Sequence, residues 1–174
     1  MSNLGVFLLV VLGATLAVAV GYLVYQLGKL TYAMVQYRRR ARFPVKRVQY
    51  SELGLMESDP TDACLWSGRV GAGSGKEIWF RLSGSSDGPD DRLARALTTI
   101  LAKRTELGPP AVALLRERES SVRDIELDLC GIELIDLSAT DRFTMEFTER
   151  GGDGSRSWIV AFSAGKPADA GFED

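Results

Sequence analysis

The feature that most constrains this chain is an apolar stretch near its start. Residues 4–25 contain no charged side chain. A helix of that length extends ~33 Å at ~1.5 Å per residue, which is about the thickness of the hydrocarbon core of a bilayer. The stretch therefore predicts a single transmembrane helix, and we assign it, with the basic residues that follow, to a first segment of residues 1–42.

A cleaved signal peptide is the alternative interpretation of the apolar stretch. Signal peptides combine a basic start, an apolar stretch of ~7–15 residues and a small-residue cleavage site. Ala17-Val18-Ala19 resembles such a site. The residues before Leu4 include no basic side chain, however, and the apolar stretch is too long. These differences favour a permanent anchor.

Basic residues next to the predicted helix indicate its orientation. The first 47 residues contain seven Lys/Arg and no acidic residue. Positive charge beside a membrane helix stays in the cytoplasm. We therefore expect a single-pass inner-membrane protein with its N-terminus outside and its C-terminal domain in the cytoplasm. The cluster expected at the membrane surface comprises Arg38, Arg39, Arg40 and Arg42. It is explained either as this topology signal or as a binding site for anionic lipid.

Small residues at a regular spacing predict helix association within the bilayer. Gly13, Ala17 and Gly21 lie four residues apart, so they share one helix face. Such a face lets two membrane helices approach closely. The lipid bilayer and either a second copy of the chain or another membrane protein are the expected partners. The alternative is that glycine and alanine are simply common in membrane spans.

The charge of the remaining chain argues against nucleic acid as a partner. Seven of the 21 Lys/Arg precede residue 48, which leaves 14 against 23 Asp/Glu and a net charge of −9 over residues 48–174. A phosphate backbone repels a domain with this charge.

The rest of the sequence predicts one α+β domain. We expect residues 43–61 to form a connector with at most a short strand at Val48 and Tyr50, residues 62–164 to form the domain, and residues 165–174 to form a frayed acidic tail. A helix over residues 91–106 is predicted from its apolar spacing, with Asp90 as its N-cap. Alternating apolar residues predict strands near residues 63–70, 77–82, 125–129, 132–137, 143–148 and 158–162.

These elements define the expected fold class. Gly108-Pro109-Pro110 should end the helix, and a second short helix should follow it. In the second predicted strand, Ile78, Phe80 and Leu82 face away from Trp79 and Arg81. The result is a single N-terminal transmembrane helix followed by a small, mostly antiparallel sheet covered by one or two helices.

A glycine-rich segment resembles a phosphate-binding loop only superficially. In residues 71–76 the lysine is preceded by glycines, but Val70 and Glu77 occupy the positions where the motif needs Gly and Ser/Thr. A strand rather than a helix is predicted to follow. We interpret the segment as a hairpin turn.

The residue types present exclude several catalytic chemistries. The chain has no histidine and two cysteines, Cys64 and Cys130. Nucleophile–histidine pairs and four-ligand Cys/His zinc sites cannot form within one chain. Both thiols are predicted to be free and to pack as small apolar groups. No cofactor is implied.

Three acidic residues form a candidate metal site. Asp124, Glu126 and Asp128 alternate with Ile125, Leu127 and Leu129, so they share one face of a predicted strand. Their oxygen atoms suit Mg²⁺ or Ca²⁺. A solvated outer face, with the three apolar residues inward, is the simpler explanation.

The hydrophobic layout resembles a known family. Leu65-Trp66-Ser67-Gly68-Arg69-Val70, the strand around Trp79, and the final strands around Phe147 and Trp158 are similar to the uncharacterised bacterial family catalogued as domain of unknown function 2262. The resemblance covers residues 62–163 and implies no activity.

The sequence therefore predicts a membrane-anchored, non-catalytic interaction domain, such as an accessory subunit of a membrane-associated complex. The alternative is a metal-dependent hydrolase or ligand-binding enzyme that uses Asp124, Glu126 and Asp128. A further alternative is a lipid-sensing tether that acts through the arginine cluster.

Overall fold

The computed structural model describes residues 20, 22–23, 25–31, 34, 43–71, 73, 75–152 and 156–173. The chain divides into two compact units, Met1–Arg42 and Phe43–Asp174. In the first unit, all described residues are helical. Within this helical segment, the Gln26 amide donates to the Tyr22 hydroxyl at 2.8 Å and the Thr31 hydroxyl donates to the Leu27 carbonyl at 2.8 Å.

The prediction of a transmembrane helix needs correction. Among the residues that the structure describes, no helix has the length and apolar character required to cross a membrane. A span needs ~20 consecutive apolar residues, whereas the described helical segment includes Gln26, Lys29 and Thr31. The predicted single-pass topology and inner-membrane localisation depended on that helix, and the same finding contradicts both.

The second unit is built mainly from strands. Its described residues form one nine-stranded sheet, so the fold is a mostly-sheet domain rather than the predicted membrane helix with a small sheet. The strands are β1 Arg47–Tyr50, β2 Gly54–Ser58, β3 Leu65–Gly71, β4 Glu77–Ser85, β5 Gly88–Pro89, β6 Leu127–Leu134, β7 Phe143–Glu149, β8 Ser157–Ser163 and β9 Lys166–Glu173.

The sheet consists of two antiparallel halves that meet at a parallel pair of strands. Its order is β1-β2-β3-β4-β6-β7-β8-β9, and β5 pairs only with β4. β4 and β6 are parallel, whereas the other neighbours are antiparallel. A parallel connection requires a crossover, and two helices provide it: α1 Asp91–Ala102 and α2 Arg104–Arg118.

The N-cap prediction is confirmed. The Asp90 carboxylate accepts hydrogen bonds from the backbone N–H groups of Arg92 and Leu93 at the start of α1. This interaction satisfies two amides that lack partners within the helix.

The predicted end of the helix is wrong. The chain leaves helical geometry at Lys103 and re-enters it at once, so Pro109 and Pro110 lie inside α2. Proline within a helix removes a hydrogen bond and costs ~3 kcal/mol. Ala111 and Leu115 of α2 are fully buried in the core, and this tertiary packing offsets the local cost.

Both helices pack on one face of the sheet and form a single core with it. Leu93 and Leu97 of α1 join Trp66, Phe80 and other strand residues in one buried cluster. The predicted division of β4 is confirmed, since Ile78, Phe80 and Leu82 are buried while Trp79 is half-buried and Arg81 exposed. The predicted inward position of Ile125, Leu127 and Leu129 is also confirmed, because they pack against this core.

Three segments differ from the sequence-based expectation. β1 and β2 lie within residues expected to form a connector, and β9 replaces the expected frayed tail. The two strands expected near residues 125–137 are one strand, β6. β9 forms because its backbone can complete the hydrogen-bonding edge of β8, which its sequence does not reveal.

Candidate interaction surface

The face of the sheet opposite the helices, which we call the open face, carries a row of aligned side chains. Strand pairing places Arg69, Trp79, Gly131, Glu146 and Ile159 side by side on five successive strands. Neighbouring strands are ~4.8 Å apart, so this row crosses most of the sheet. A second row lies beside it and contains Ser67, Arg81, Glu133, Thr144 and Ala161.

The centre of the open face is an indole ring that lies over a glycine. A Cβ atom placed on Gly131 would be 2.2 Å from Cε2 and 2.3 Å from Cζ2 of Trp79. Only glycine at this position therefore allows the Trp79 ring to approach β6 so closely. Gly131 is buried beneath the ring, and Trp79 itself is half-buried.

An ion pair flanks the ring in the second row. The Arg81 guanidinium contacts the Glu133 carboxylate at 2.7 Å, and its Cζ lies 5.9 Å from the centroid of the Trp79 ring. The pair is only partly screened from solvent, with side-chain exposures of 44% and 25%. Its contribution to stability is therefore modest, but it holds the guanidinium beside the indole.

The other arginines of this face are paired in the same way. Arg47 contacts Glu57 at 2.7 Å and Arg69 contacts Glu77 at 3.3 Å. Glu146 differs from these acids, because no described lysine or arginine lies within ion-pair distance of its carboxylate. The open face therefore carries one half-buried carboxylate without a cationic partner among the residues that the structure describes.

These side chains form two adjacent grooves, and every residue that lines them belongs to a strand. The first has a volume of about 330 Å³ and is lined by Trp79, Arg81, Gly131, Glu133, Thr144, Glu146 and Ile159. The second has a volume of about 490 Å³ and lies towards β2 and β3, where Leu55 and Arg69 help to line it. Trp79 and Arg81 belong to both grooves, so these two residues form the ridge between them.

A β-bulge shapes the floor of the first groove. The register between β6 and β7 shifts between Leu129 and Gly131, so Cys130 is an extra residue in β6. Its thiol donates to the Glu146 carbonyl at 3.4 Å. Burial, followed by the charge of Glu146, raises the pKa of the Cys130 thiol to about 11. The thiol is therefore protonated at neutral pH and is a poor nucleophile.

The predicted membrane residues cannot be placed in this site. Gly13, Ala17 and Gly21, the proposed helix-packing residues, lie outside the described residues. The arginine cluster at the predicted membrane surface, Arg38, Arg39, Arg40 and Arg42, lies outside them as well.

Two of the three acidic residues of the alternative metal site, Glu126 and Asp128, engage basic side chains, whereas Asp124 is exposed in the turn before β6. Arg150 contacts Glu126 at 2.6 Å and Asp128 at 3.0 Å, and Lys76 also pairs with Asp128. Hydrogen bonding from Lys76 lowers the pKa of the Asp128 carboxyl, and Arg150 lowers it further. Within the described part of the chain, no three Asp, Glu, Cys or His side chains are grouped closely enough to hold a metal ion.

Two smaller sequence-based interpretations have different outcomes. The glycine-rich segment connects the antiparallel strands β3 and β4, as expected for a hairpin turn, although Ala72 and Ser74 lie outside the described residues. Both cysteines are free, as predicted. Cys64, however, precedes β3 and is exposed, so the prediction that both thiols are packed is wrong for this residue.

The sequence indicated part of the open face but not its chemistry. Alternation in β4 placed Trp79 and Arg81 together on the side away from the core. Gly131, Glu133 and Glu146 were missed because they join this pair through the parallel β4–β6 contact and the bulge in β6. The one available signal was a glycine in the middle of an apolar run, which is typical of a bulge or a close approach.

Comparisons with known proteins identify no relative of this chain. No family model, no curated protein and no solved structure matches the chain. The resemblance to the family of domain of unknown function 2262 therefore stays a prediction.

Proposed function

We propose that residues 43–173 form a non-catalytic interaction module, an accessory subunit that binds a partner protein through the open face around Trp79. The observation that supports this proposal is the position of the half-buried Trp79 ring. The ring packs on Gly131 and lies on the ridge between the two grooves. Tryptophan and arginine are the residue types that most often dominate binding energy at protein interfaces.

The arrangement of the ridge supports a binding role. The Trp79 ring is held by the close contact with Gly131, so little conformational entropy is lost when a partner covers it. The Arg81–Glu133 pair beside the ring supplies the polar rim that usually surrounds such an anchor. An aromatic centre with charged neighbours is typical of a docking surface.

The chemistry of the grooves supports binding rather than catalysis. The chain has no histidine, and the Cys130 thiol beside the first groove has a pKa raised to about 11 by burial. General acid–base and nucleophilic catalysis at neutral pH need groups with pKa values closer to 7.

Photo-crosslinking in cells tests the proposal. A benzophenone amino acid replaces Thr144, which lines the first groove, or Thr99, an exposed residue of α1 on the helix side. We expect a discrete protein adduct from position 144, none from position 99, and loss of the adduct when Trp79→Ala is combined with the probe.

The fold of each variant must be checked by circular dichroism and thermal unfolding. Equal adducts from both positions, or an adduct that persists in a folded Trp79→Ala variant, would show that the open face is not the docking surface. Trp79→Phe serves as a second variant, because a smaller aromatic ring over Gly131 should preserve the fold and weaken the adduct only in part.

A further inference from the structure

Glu146 occupies a position suited to a positively charged side chain from outside the domain. On one side of it, Gly131 is covered by the Trp79 ring, and on the other side lies Ile159, its direct partner on β8. The carboxylate is half-buried and has no cationic partner among the described residues. It is therefore a negative charge between two apolar walls.

We infer that this groove binds an arginine side chain of a basic segment in the partner protein. The inference rests on the proposed function and specifies the chemistry of the partner. The aliphatic part of arginine can lie between Trp79 and Ile159, as such side chains commonly do on apolar surfaces. Its planar guanidinium can then donate two parallel hydrogen bonds to the Glu146 carboxylate.

The charge of the domain favours the same kind of partner. The unit Phe43–Asp174 contains 16 Lys/Arg and 23 Asp/Glu, a net charge of −7. A field of this sign attracts basic segments and speeds their association. On the open face, Arg47, Arg69 and Arg81 are already paired with glutamates.

An acidic segment would meet unfavourable contacts in the same groove. It would place its charge beside Glu146, and the Arg81 guanidinium that lines the same groove is already paired with Glu133 at 2.7 Å. Like charges placed side by side are destabilising. The groove therefore selects against anionic side chains as well as for cationic ones.

A peptide pair that differs only in charge tests the inference. The probe is a fluorescein-labelled peptide of three Gly-Arg repeats, and its control carries citrulline, the neutral analogue of arginine, at each arginine. Binding to the full-length protein is measured by fluorescence anisotropy. We expect the arginine peptide to bind about tenfold or more tightly than the citrulline peptide, because a charge-assisted bidentate contact is lost.

Two variants distinguish a specific contact from general attraction. Glu146→Gln and Glu149→Gln each remove one charge from β7. Glu149, however, lies at the exposed end of the strand, on the same side of the sheet as Phe147 and opposite to Glu146. We expect Glu146→Gln to weaken the arginine peptide about tenfold and Glu149→Gln to weaken it less than about twofold. Equal effects of the two variants, or no binding of the arginine peptide, would overturn the inference.

The crosslinking experiment separates this inference from the proposed function. Suppose that Trp79→Ala abolishes the adduct at position 144 and that Glu146→Gln leaves it unchanged. The open face would then still be the docking surface, but the proposed arginine contact with Glu146 would be wrong. If no adduct forms but peptide binding depends on Glu146, the proposed function would be wrong, whereas the preference of the groove for arginine would stand.

Discussion

At the scale of single residues, the three tryptophans of the chain lie in three different environments. Trp66 is fully buried, and its Nε1 donates to the Ser85 carbonyl at 2.9 Å. Trp158 is 2% exposed, and its Nε1 has no acceptor among the described residues. Trp79 is half-buried on the open face. The same residue type therefore serves the core in two cases and a surface in the third.

The two buried tryptophans should respond differently to the same substitution. Trp66→Phe and Trp158→Phe both replace the indole by a smaller ring, but only the first breaks a hydrogen bond, the one that the Ser85 carbonyl accepts. Trp158→Phe instead removes a buried donor without a partner. We expect Trp66→Phe to lower the free energy of unfolding by ~1–2 kcal/mol more than Trp158→Phe.

Urea denaturation of the two variants, followed by circular dichroism, measures the difference. Similar losses in both would mean that the hydrogen bond to Ser85 contributes little. A larger loss in Trp158→Phe would contradict the assignment of its Nε1 as unsatisfied.

At the scale of secondary structure, β6 holds the open face together. It forms the parallel pair with β4 on one side and the bulged antiparallel pair with β7 on the other. Gly131 lies just after the bulge and beneath Trp79. A bulge bends its strand and changes the direction of side chains, which here brings Glu133 and Glu146 next to the Trp79–Arg81 pair.

A matched pair of glycine substitutions tests this arrangement. Gly131 and Gly171 lie in the same row of the open face, on β6 and β9. A Cβ at Gly131 meets the indole of Trp79, whereas one at Gly171 meets no atom within 4 Å. We expect Gly131→Ala to destabilise the fold by ~1–3 kcal/mol and Gly171→Ala to change stability by less than about 0.5 kcal/mol.

Tryptophan fluorescence gives a second measurement for these variants. Displacement of the Trp79 ring by Gly131→Ala should shift the emission to longer wavelength, since the ring gains contact with water. An unchanged spectrum and unchanged stability would contradict the close packing of Trp79 on β6.

At the scale of the whole molecule, charge is the property most relevant to behaviour in solution. Several carboxylates of the second unit bind protons less readily in the folded state. Hydrogen bonding from Arg92 lowers the pKa of the Asp90 carboxyl, Lys76 does so for Asp128, and Ser138 does so for Asp136.

These lowered pKa values predict sensitivity to acid. Their stabilising effect is complete above the ordinary aspartate pKa of 3.8 and is lost as the pH falls below it, because the unfolded chain takes up protons first. We expect the urea midpoint of the full-length protein to be lower at pH 3 than at pH 6.

Asp128→Asn tests how much of this acid sensitivity comes from one residue, Asp128. It removes one of the shifted groups, so the difference between pH 6 and pH 3 should become smaller than in the unmodified protein. A difference that does not change would mean that the Lys76 and Arg150 contacts with Asp128 do not contribute.

Local pattern was a reliable guide where the physical cause is local. The N-cap at Asp90 requires only that a carboxylate precede a helix, and the two faces of β4 require only alternation between core and solvent. The placement of Pro109 and Pro110 inside α2 was missed because burial of Ala111 and Leu115 overrides a local preference. Strand β9 was missed because an edge strand forms on the backbone of its neighbour, and its own sequence does not record this.

What the amino-acid sequence by itself determined is the composition of the surface and the chemistry it excludes. A chain without histidine cannot form a histidine-based catalytic site from its own residues, and the acidic excess after residue 47 gives that part of the chain a net negative charge. Only the tertiary structure decided where the open face lies and which residues compose it, because β4 and β6 are separated by two helices in the chain and become neighbours only when that crossover folds. The contacts of Trp79 with Gly131 and of Arg81 with Glu133 join residues 52 positions apart, and no periodicity within a single strand can encode a contact of that range.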